Sequence, residues 1–269
     1  GALYSRSFLE ALGCRVLPLF DEPDGVFRRP PEPLPENLTA LGRTVREHGC
    51  AVGFAQDPDG DRLAILDETG APLGEQFSIV LACEHVLSKT PGDVVVNVQT
   101  TRSVEDVAAR SGSRVHYTPV GEVHVSSRMR DIGAVLGGEG SSGGILWPAV
   151  HPCRDSYTGM ALILEMLAER RRPLSEIAGS LPRYEAVNAR VPCSSGRAVE
   201  ILDSLKREHP EAADATDGLR IEWDDAWVLV RPSNTEPVFR IFAEGRSRER
   251  AEHIADTFRR RIAAEAEAT

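Results

Sequence analysis

The chain has 269 residues, a length that suits two or three domains. Hydrophobic residues make up 41% and charged residues 27%, the balance of a globular protein with a real core. A formal net charge of -10, with acids and bases interspersed, repels nucleic acid and anionic membranes and excludes both as expected partners. The five cysteines, Cys14, Cys50, Cys83, Cys153 and Cys193, are odd in number and include no C-x-x-C pair. This argues against a disulfide framework or a zinc site and for a reducing, cytoplasmic location. No segment has the apolar length of a membrane span, and the first residues carry no signal-peptide pattern. Residue 1 is glycine, which reads as a processed or partial chain.

In chain order, apolar residues at helical spacing predict a helix over 3–12, closed by Gly13, and 14–20 (CRVLPLF) reads as a strand. A proline-rich connector leads to a helix over 35–48. Strands follow at 51–55 and 62–67, the second turned at Thr69-Gly70. From Glu75 the alternation is regular: helix 75–89, strand 93–98, helix 103–111, strand 114–118, helix 121–130, strand 132–136 (IGAVL). Continuous apolar strands between helices predict mainly parallel sheets sandwiched by helices. A long helix spans 155–171, and 170–184 reads as a hinge or linker. Beyond it the pattern becomes strand 185–191, helix 195–208, strands near 218–223, 226–231 and 237–243, and helix 247–265. That order predicts an α+β module with an antiparallel sheet. The fold class is therefore mixed α/β with a C-terminal α+β domain.

Three loops carry residues suited to chemistry. "DPDGDR" places Asp57, Asp59 and Asp61 within five residues, a set of hard oxygen ligands for Mg²⁺ or Ca²⁺. An EF-hand is excluded, because Arg62 occupies the position that needs glycine and both flanks read as strands. An acidic surface turn explains the loop equally well. "GGEGSSGG" over 137–144 follows a predicted buried strand, where open α/β sheets bind ligands. Glu139 could accept hydrogen bonds from two sugar hydroxyls, with Ser141 or Ser142 assisting, or the stretch is a plain glycine-serine connection. "RPSNTEP" offers Arg231, Ser233, Asn234 and Thr235 to a phosphate, or forms an ordinary hairpin turn.

Taken together and in order, the three loops resemble the metal loop (D-x-D-x-D-R), sugar loop (G-G-E-x-S-G) and phosphate loop (R-P-S-[GN]-T-E-P) of the α-D-phosphohexomutases. "TPVGEVHV" at 118–125 and "CRDSYTG" at 153–159 are similar to stretches flanking that family's sugar loop. The resemblance runs the length of the chain. It implies an incomplete second domain with the metal loop over 1–73, a third domain with the sugar loop over 74–181, and a phosphate-binding domain over 182–269. It implies that Asp57, Asp59 and Asp61 hold Mg²⁺ and that Arg62, the catalytic candidate, lies beside the phosphate in transfer. Glu139 with Ser141 or Ser142 would contact sugar hydroxyls, and Arg231, Ser233, Asn234 and Thr235 would hold the other phosphate. The implied reaction moves a phosphoryl group between the 1- and 6-positions of glucose, mannose or glucosamine phosphate. It passes through a phosphoserine and a hexose 1,6-bisphosphate.

The chain also departs from that pattern. The sugar loop has an extra serine, Gly144 stands where relatives often carry histidine, and His124 stands where many carry lysine or asparagine. No Thr-Ala-Ser-His-Asn-Pro-like segment occurs, so the chain reads as a fragment without the nucleophilic serine. A non-catalytic phosphosugar-binding protein is the alternative. A phosphatase with Asp57 as nucleophile fits less well, since Asp61 occupies the place of that motif's Thr or Val.

Overall fold

The computed structural model describes residues 1–210, 217–233 and 236–267, the side chains of Ser142 and Ser195 excepted. Contacts divide the chain into two units, Gly1–Pro182 and Arg183–Thr269.

The first unit opens with helix α1 (Ser5–Ala11). The strand expected at 14–20 does not form. Pro18 removes a ladder donor, and among the described residues no strand pairs with this stretch, so Leu17 and Phe20 stay exposed. Helix α2 (Thr39–His48) ends at Gly49 in the left-handed region. Strands β1 (Gly53–Gln56) and β2 (Leu63–Leu66) then pair antiparallel, with Gln56 opposite Leu63. The three aspartates thus occupy the connection of a hairpin. All four residues of β2 are buried, because Leu63 and Ile65 enter the main core while Ala64 and Leu66 pack with Leu38 and Ala55.

Helix α3 (Phe77–Lys89) follows, buried over most of its surface. Next come β3 (Val94–Asn97), α4 (Ser103–Arg110), β4 (Val115–Thr118), α5 (Glu122–Ile132), β5 (Leu136–Glu139) and β6 (Gly144–Leu146). The sheet order is β4-β3-β5-β6, with β3 parallel to both neighbours and β6 antiparallel at the edge. The strand expected at 132–136 is displaced toward the C-terminus. Ile132 still belongs to α5, Gly133 ends that helix, and the glycines read as loop are themselves strand. They are glycines because the layers press close. A Cβ on Gly137 would overlap Met129 Sδ of α5, and one on Gly138 would lie 2.7 Å from Ile79 Cδ1 of α3.

Helix α6 (Ser156–Arg170) covers α3 and β6. The segment read as a hinge contains a further helix, α7 (Leu174–Gly179), whose Leu174 and Ile177 are fully buried.

The second unit comprises β7 (Glu185–Pro192), α8 (Ser195–Glu208), β8 (Leu219–Trp223), β9 (Ala226–Pro232), β10 (Val238–Gly245) and α9 (Arg248–Glu267). The sheet is antiparallel throughout, in the order β7-β10-β9-β8. Val228, Val230, Phe239 and Ile241 join Ile201, Ile254 and Phe258 of the two helices in one core. Because side chains alternate along a strand, the intervening Arg190, Arg220, Arg231 and Arg240 share the opposite face. Arg240 lies across from Arg231 on one side and from Arg190 on the other.

Candidate functional site

The acidic connection between β1 and β2 is shaped by Asp57, which is buried. Its Oδ1 accepts the Arg62 backbone N–H at 3.0 Å, and Gly60 N–H donates back to the Asp57 carbonyl at 3.3 Å. The loop therefore closes on itself and turns its carboxylates together: Asp57, Asp59 and Asp61 each present an oxygen within 4.8 Å of the others. Three like charges so placed repel unless cations intervene. Arg62 Nε lies 3.4 Å from Asp57 Oδ2 and 3.9 Å from Asp61 Oδ1. Neither Arg62 Nε nor Asp61 Oδ1 has a hydrogen-bond partner although both are shielded from water. Arg62 also pulls on the Glu75 carboxyl, which burial pushes above its ordinary value.

The second expected residue, Glu139 at the end of β5, is 4% exposed. Its Oε1 accepts from Asn97 Nδ2 and from the Gly121 N–H, both at 2.8 Å. Ser141 Oγ is 3.4 Å from Gln99 Oε1. The two loops meet directly. Leu63 N–H, at the exit of the acidic loop, donates to the Gly143 carbonyl at 3.3 Å, and a Cβ on Gly143 would lie 2.5 Å from the Leu63 carbonyl oxygen.

A residue that sequence reasoning passed over completes the junction. Arg154 Nη1 donates to Glu139 Oε2 at 3.0 Å, its Nη2 pairs with Asp61 Oδ2, and its Nε and backbone N–H both donate to Glu122 at 3.2 Å. The segment around it is fixed by Asp155, which caps α6 by accepting from Tyr157 N–H at 2.9 Å and whose own N–H donates to the Ile145 carbonyl. Ser156 ties the same segment to the acidic loop, donating from Oγ to the Gly60 carbonyl at 2.5 Å. The sequence signal was the stretch CRDSYTG, similar to one that flanks the family's sugar loop, in which the arginine stands immediately before the cap of a helix.

The third motif lies in the second unit. Arg231 Nη1 pairs with Asp217 at 2.9 Å, while its Nε is shielded and has no hydrogen-bond partner. Ser233 Oγ accepts from Glu236 N–H at 3.3 Å. Asn234 and Thr235, expected in the same role, lie outside the described residues. The first unit thus brings together Asp57, Asp59, Asp61, Arg62, Glu139 and Ser141, and the second holds Arg231 and Ser233.

Residues 1–70, 74–184 and 187–261 match the models of phosphoglucomutase/phosphomannomutase α/β/α domain II, α/β/α domain III and C-terminal domain respectively. The chain belongs to the α-D-phosphohexomutase family. Among phosphohexomutases, it is 41% identical over 255 residues to the probable phosphoglucosamine mutase of Methanopyrus kandleri, a match spanning 93% of this chain and 56% of that protein. The phosphoglucomutase/phosphomannomutase of Thermococcus kodakarensis is 34% identical over 255 residues, again 93% of this chain and 56% of the relative. A phosphoglucomutase/phosphomannomutase family protein from Burkholderia thailandensis superposes with a TM-score of 0.85 at 30% identity, covering 98% of this chain and 58% of that one. The chain therefore spans a little over half the length of the phosphohexomutases it matches.

Proposed function

We propose that this chain supplies the metal-, sugar- and phosphate-holding parts of a Mg²⁺-dependent phosphohexomutase, which moves a phosphoryl group between the 1- and 6-positions of a hexose. The observation that carries this reading is the junction of the acidic loop with Glu139 through Arg154, which puts a cation-holding group beside a hydroxyl-reading one. The donor set suits Mg²⁺: three carboxylates of a hard-ligand type, one of them with an oxygen that no donor satisfies. Asp57, Asp59 and Asp61 would hold the ion, which when bound neutralises charge on the phosphoryl oxygens.

The remaining roles belong to the chain's own side chains. Arg62, held between Asp57 and Asp61, offers a planar cation to the phosphate in transfer. Glu139, fixed in orientation by Asn97 and Gly121, reads ring hydroxyls with help from Ser141. Arg231 and Ser233, with Asn234 and Thr235, grip the phosphate that stays in place. Because the Methanopyrus relative is named a probable phosphoglucosamine mutase, glucosamine phosphate is the first sugar to assay.

Calorimetric titration of Mg²⁺ into the chain and into Asp59→Asn tests the metal reading. Binding by the unaltered chain and loss of at least tenfold in the variant is expected, and equal binding would remove the site. In a coupled assay of hexose 1-phosphate to 6-phosphate conversion the chain alone binds but does not turn over, since a covalent mechanism needs the serine nucleophile. Turnover of about 1–1000 per second, the ordinary enzyme range, would reveal a nucleophile among these residues.

A further inference from the structure

Arg154 does more than fill a gap between acids. Its side chain is 17% exposed and its guanidinium reaches Asp61, Glu139 and Glu122, three carboxylates drawn from the hairpin loop, the end of β5 and the start of α5. The room for it is specific. A Cβ built on Gly144 would overlap Arg154 Cδ and approach Cγ to 2.9 Å, so any side chain at position 144 collides with the middle of the arginine stem. The stem cannot slide away at its root, because the Arg154 backbone N–H is held by Glu122 at 3.2 Å and the next residue caps α6.

From this geometry we propose that Arg154 is a positioning residue that joins the acidic loop to Glu139 as a built-in counter-cation, in a socket that exists because residue 144 is glycine. Held this way, Arg154 occupies one oxygen of Asp61 and leaves the other without a hydrogen-bond partner, 3.9 Å from Arg62 Nε. A divalent ion at the loop competes with the guanidinium for Asp61. Any weakening of that pair is felt at Glu139, because one planar group serves both carboxylates. The proposal deepens the reading of the acidic loop as a Mg²⁺ site and rests on it for the competition, though not for the socket.

The two parts are tested separately on the whole 269-residue chain. For the socket, thermal melts without metal compare Gly144→Ala, Arg154→Ala and the double variant. Gly144→Ala is expected to lower the melting temperature when Arg154 is present and to be neutral when residue 154 is already alanine. Additive effects would overturn the socket. For the counter-cation, Mg²⁺ alone is titrated into the unaltered chain, Arg154→Gln, Arg154→Lys and Gly144→Ala, each first shown to be folded by its melt. Removing the partly buried positive charge in Arg154→Gln, or pushing it out of its socket in Gly144→Ala, should tighten Mg²⁺ binding about tenfold, whereas Arg154→Lys, which keeps the charge, should change it little. Unchanged or weaker binding in Arg154→Gln overturns the competition. Binding that appears only once Arg154 is replaced supports it in its strongest form. Absence of binding in every variant rejects the metal reading and the competition with it, and leaves the socket to the melts.

Discussion

The two units handle charge in opposite ways. In the first, carboxylates dominate: Asp57, Asp59, Asp61, Glu122 and Glu139 surround Arg62 and Arg154. In the second, arginines dominate one face of the sheet: Arg190, Arg240 and Arg231 stand in a row across three strands, restrained by Glu236 and Asp217. Each region carries the sign that attracts its proposed ligand and neutralises the surplus with an internal partner. The difference lies in depth. Glu139 is tied down within the core of its unit, whereas the arginine row grades from Arg231, as shielded as Arg154, through the partly exposed Arg240 to Arg190, which is largely open to water. Charges of the first kind are costly to orphan, and charges of the second kind are cheap to hold and easy to exchange for a ligand.

The sharpest way to break this contrast is Glu139→Ala. It strands Arg154, Asn97 and the Gly121 N–H in a buried place, and removing one partner of a buried ion pair costs about 3–5 kcal/mol. Calorimetry should show the transition of the first unit falling by roughly 10 °C, at 2–4 °C per kcal/mol for a unit of this size, with the second unit unmoved. An unchanged first transition would mean that the junction bears no structural weight.

A smaller effect is expected from Arg231→Lys. Lysine cannot reproduce a forked contact to phosphate, and a charge-assisted bond is worth about 1.5–3 kcal/mol, so affinity for hexose phosphate should fall about tenfold or more. Melting should barely move, in contrast with Glu139→Ala. Identical sugar-phosphate titrations for the two proteins would take Arg231 out of the phosphate grip.

The smallest effect concerns a surface network. The hydrogen bond from His85, then that from Lys89, holds the Glu165 carboxyl below its usual range. A depressed carboxylate stabilises the fold above its unfolded value, and the contribution disappears as pH falls through the folded one. Because Glu165 is half exposed, solvent screening keeps the effect small. Glu165→Gln should therefore melt slightly below the unaltered chain at neutral pH and together with it in acid. A gap that widens on acidification would reverse the assignment.

What the sequence disclosed follows from how local each feature is. The aspartate, glycine-glutamate and Arg-Pro-Ser motifs are contiguous, so residue types suited to a cation, to hydroxyls and to a phosphate could be picked out directly. The helices 77–89 and 156–170 announced themselves by apolar content. Arg154 could not be read, because its partners Asp61, Glu122 and Glu139 come from three separate elements and its socket depends on a residue defined by having no side chain. The strand over Leu136–Glu139 was misplaced for a related reason: glycine disfavours strands on average, and only the closeness of neighbouring layers makes it the residue that fits. Residues 14–20 are the opposite case, apolar enough for a strand but with no strand among the described residues to pair with.

Strand β2 has a consequence for how the first unit comes apart. By pairing it belongs to the hairpin, but Leu63 and Ile65 are embedded in the core of the larger sheet, and the Leu63 carbonyl also accepts from Ser78 Oγ at 2.7 Å. The hairpin cannot open without exposing that core. In native-state hydrogen exchange the amides of Leu63 and Ile65 should accordingly exchange at the slow, shared rate of the β3 valines, marking the hairpin and the larger sheet as one cooperative unfolding unit.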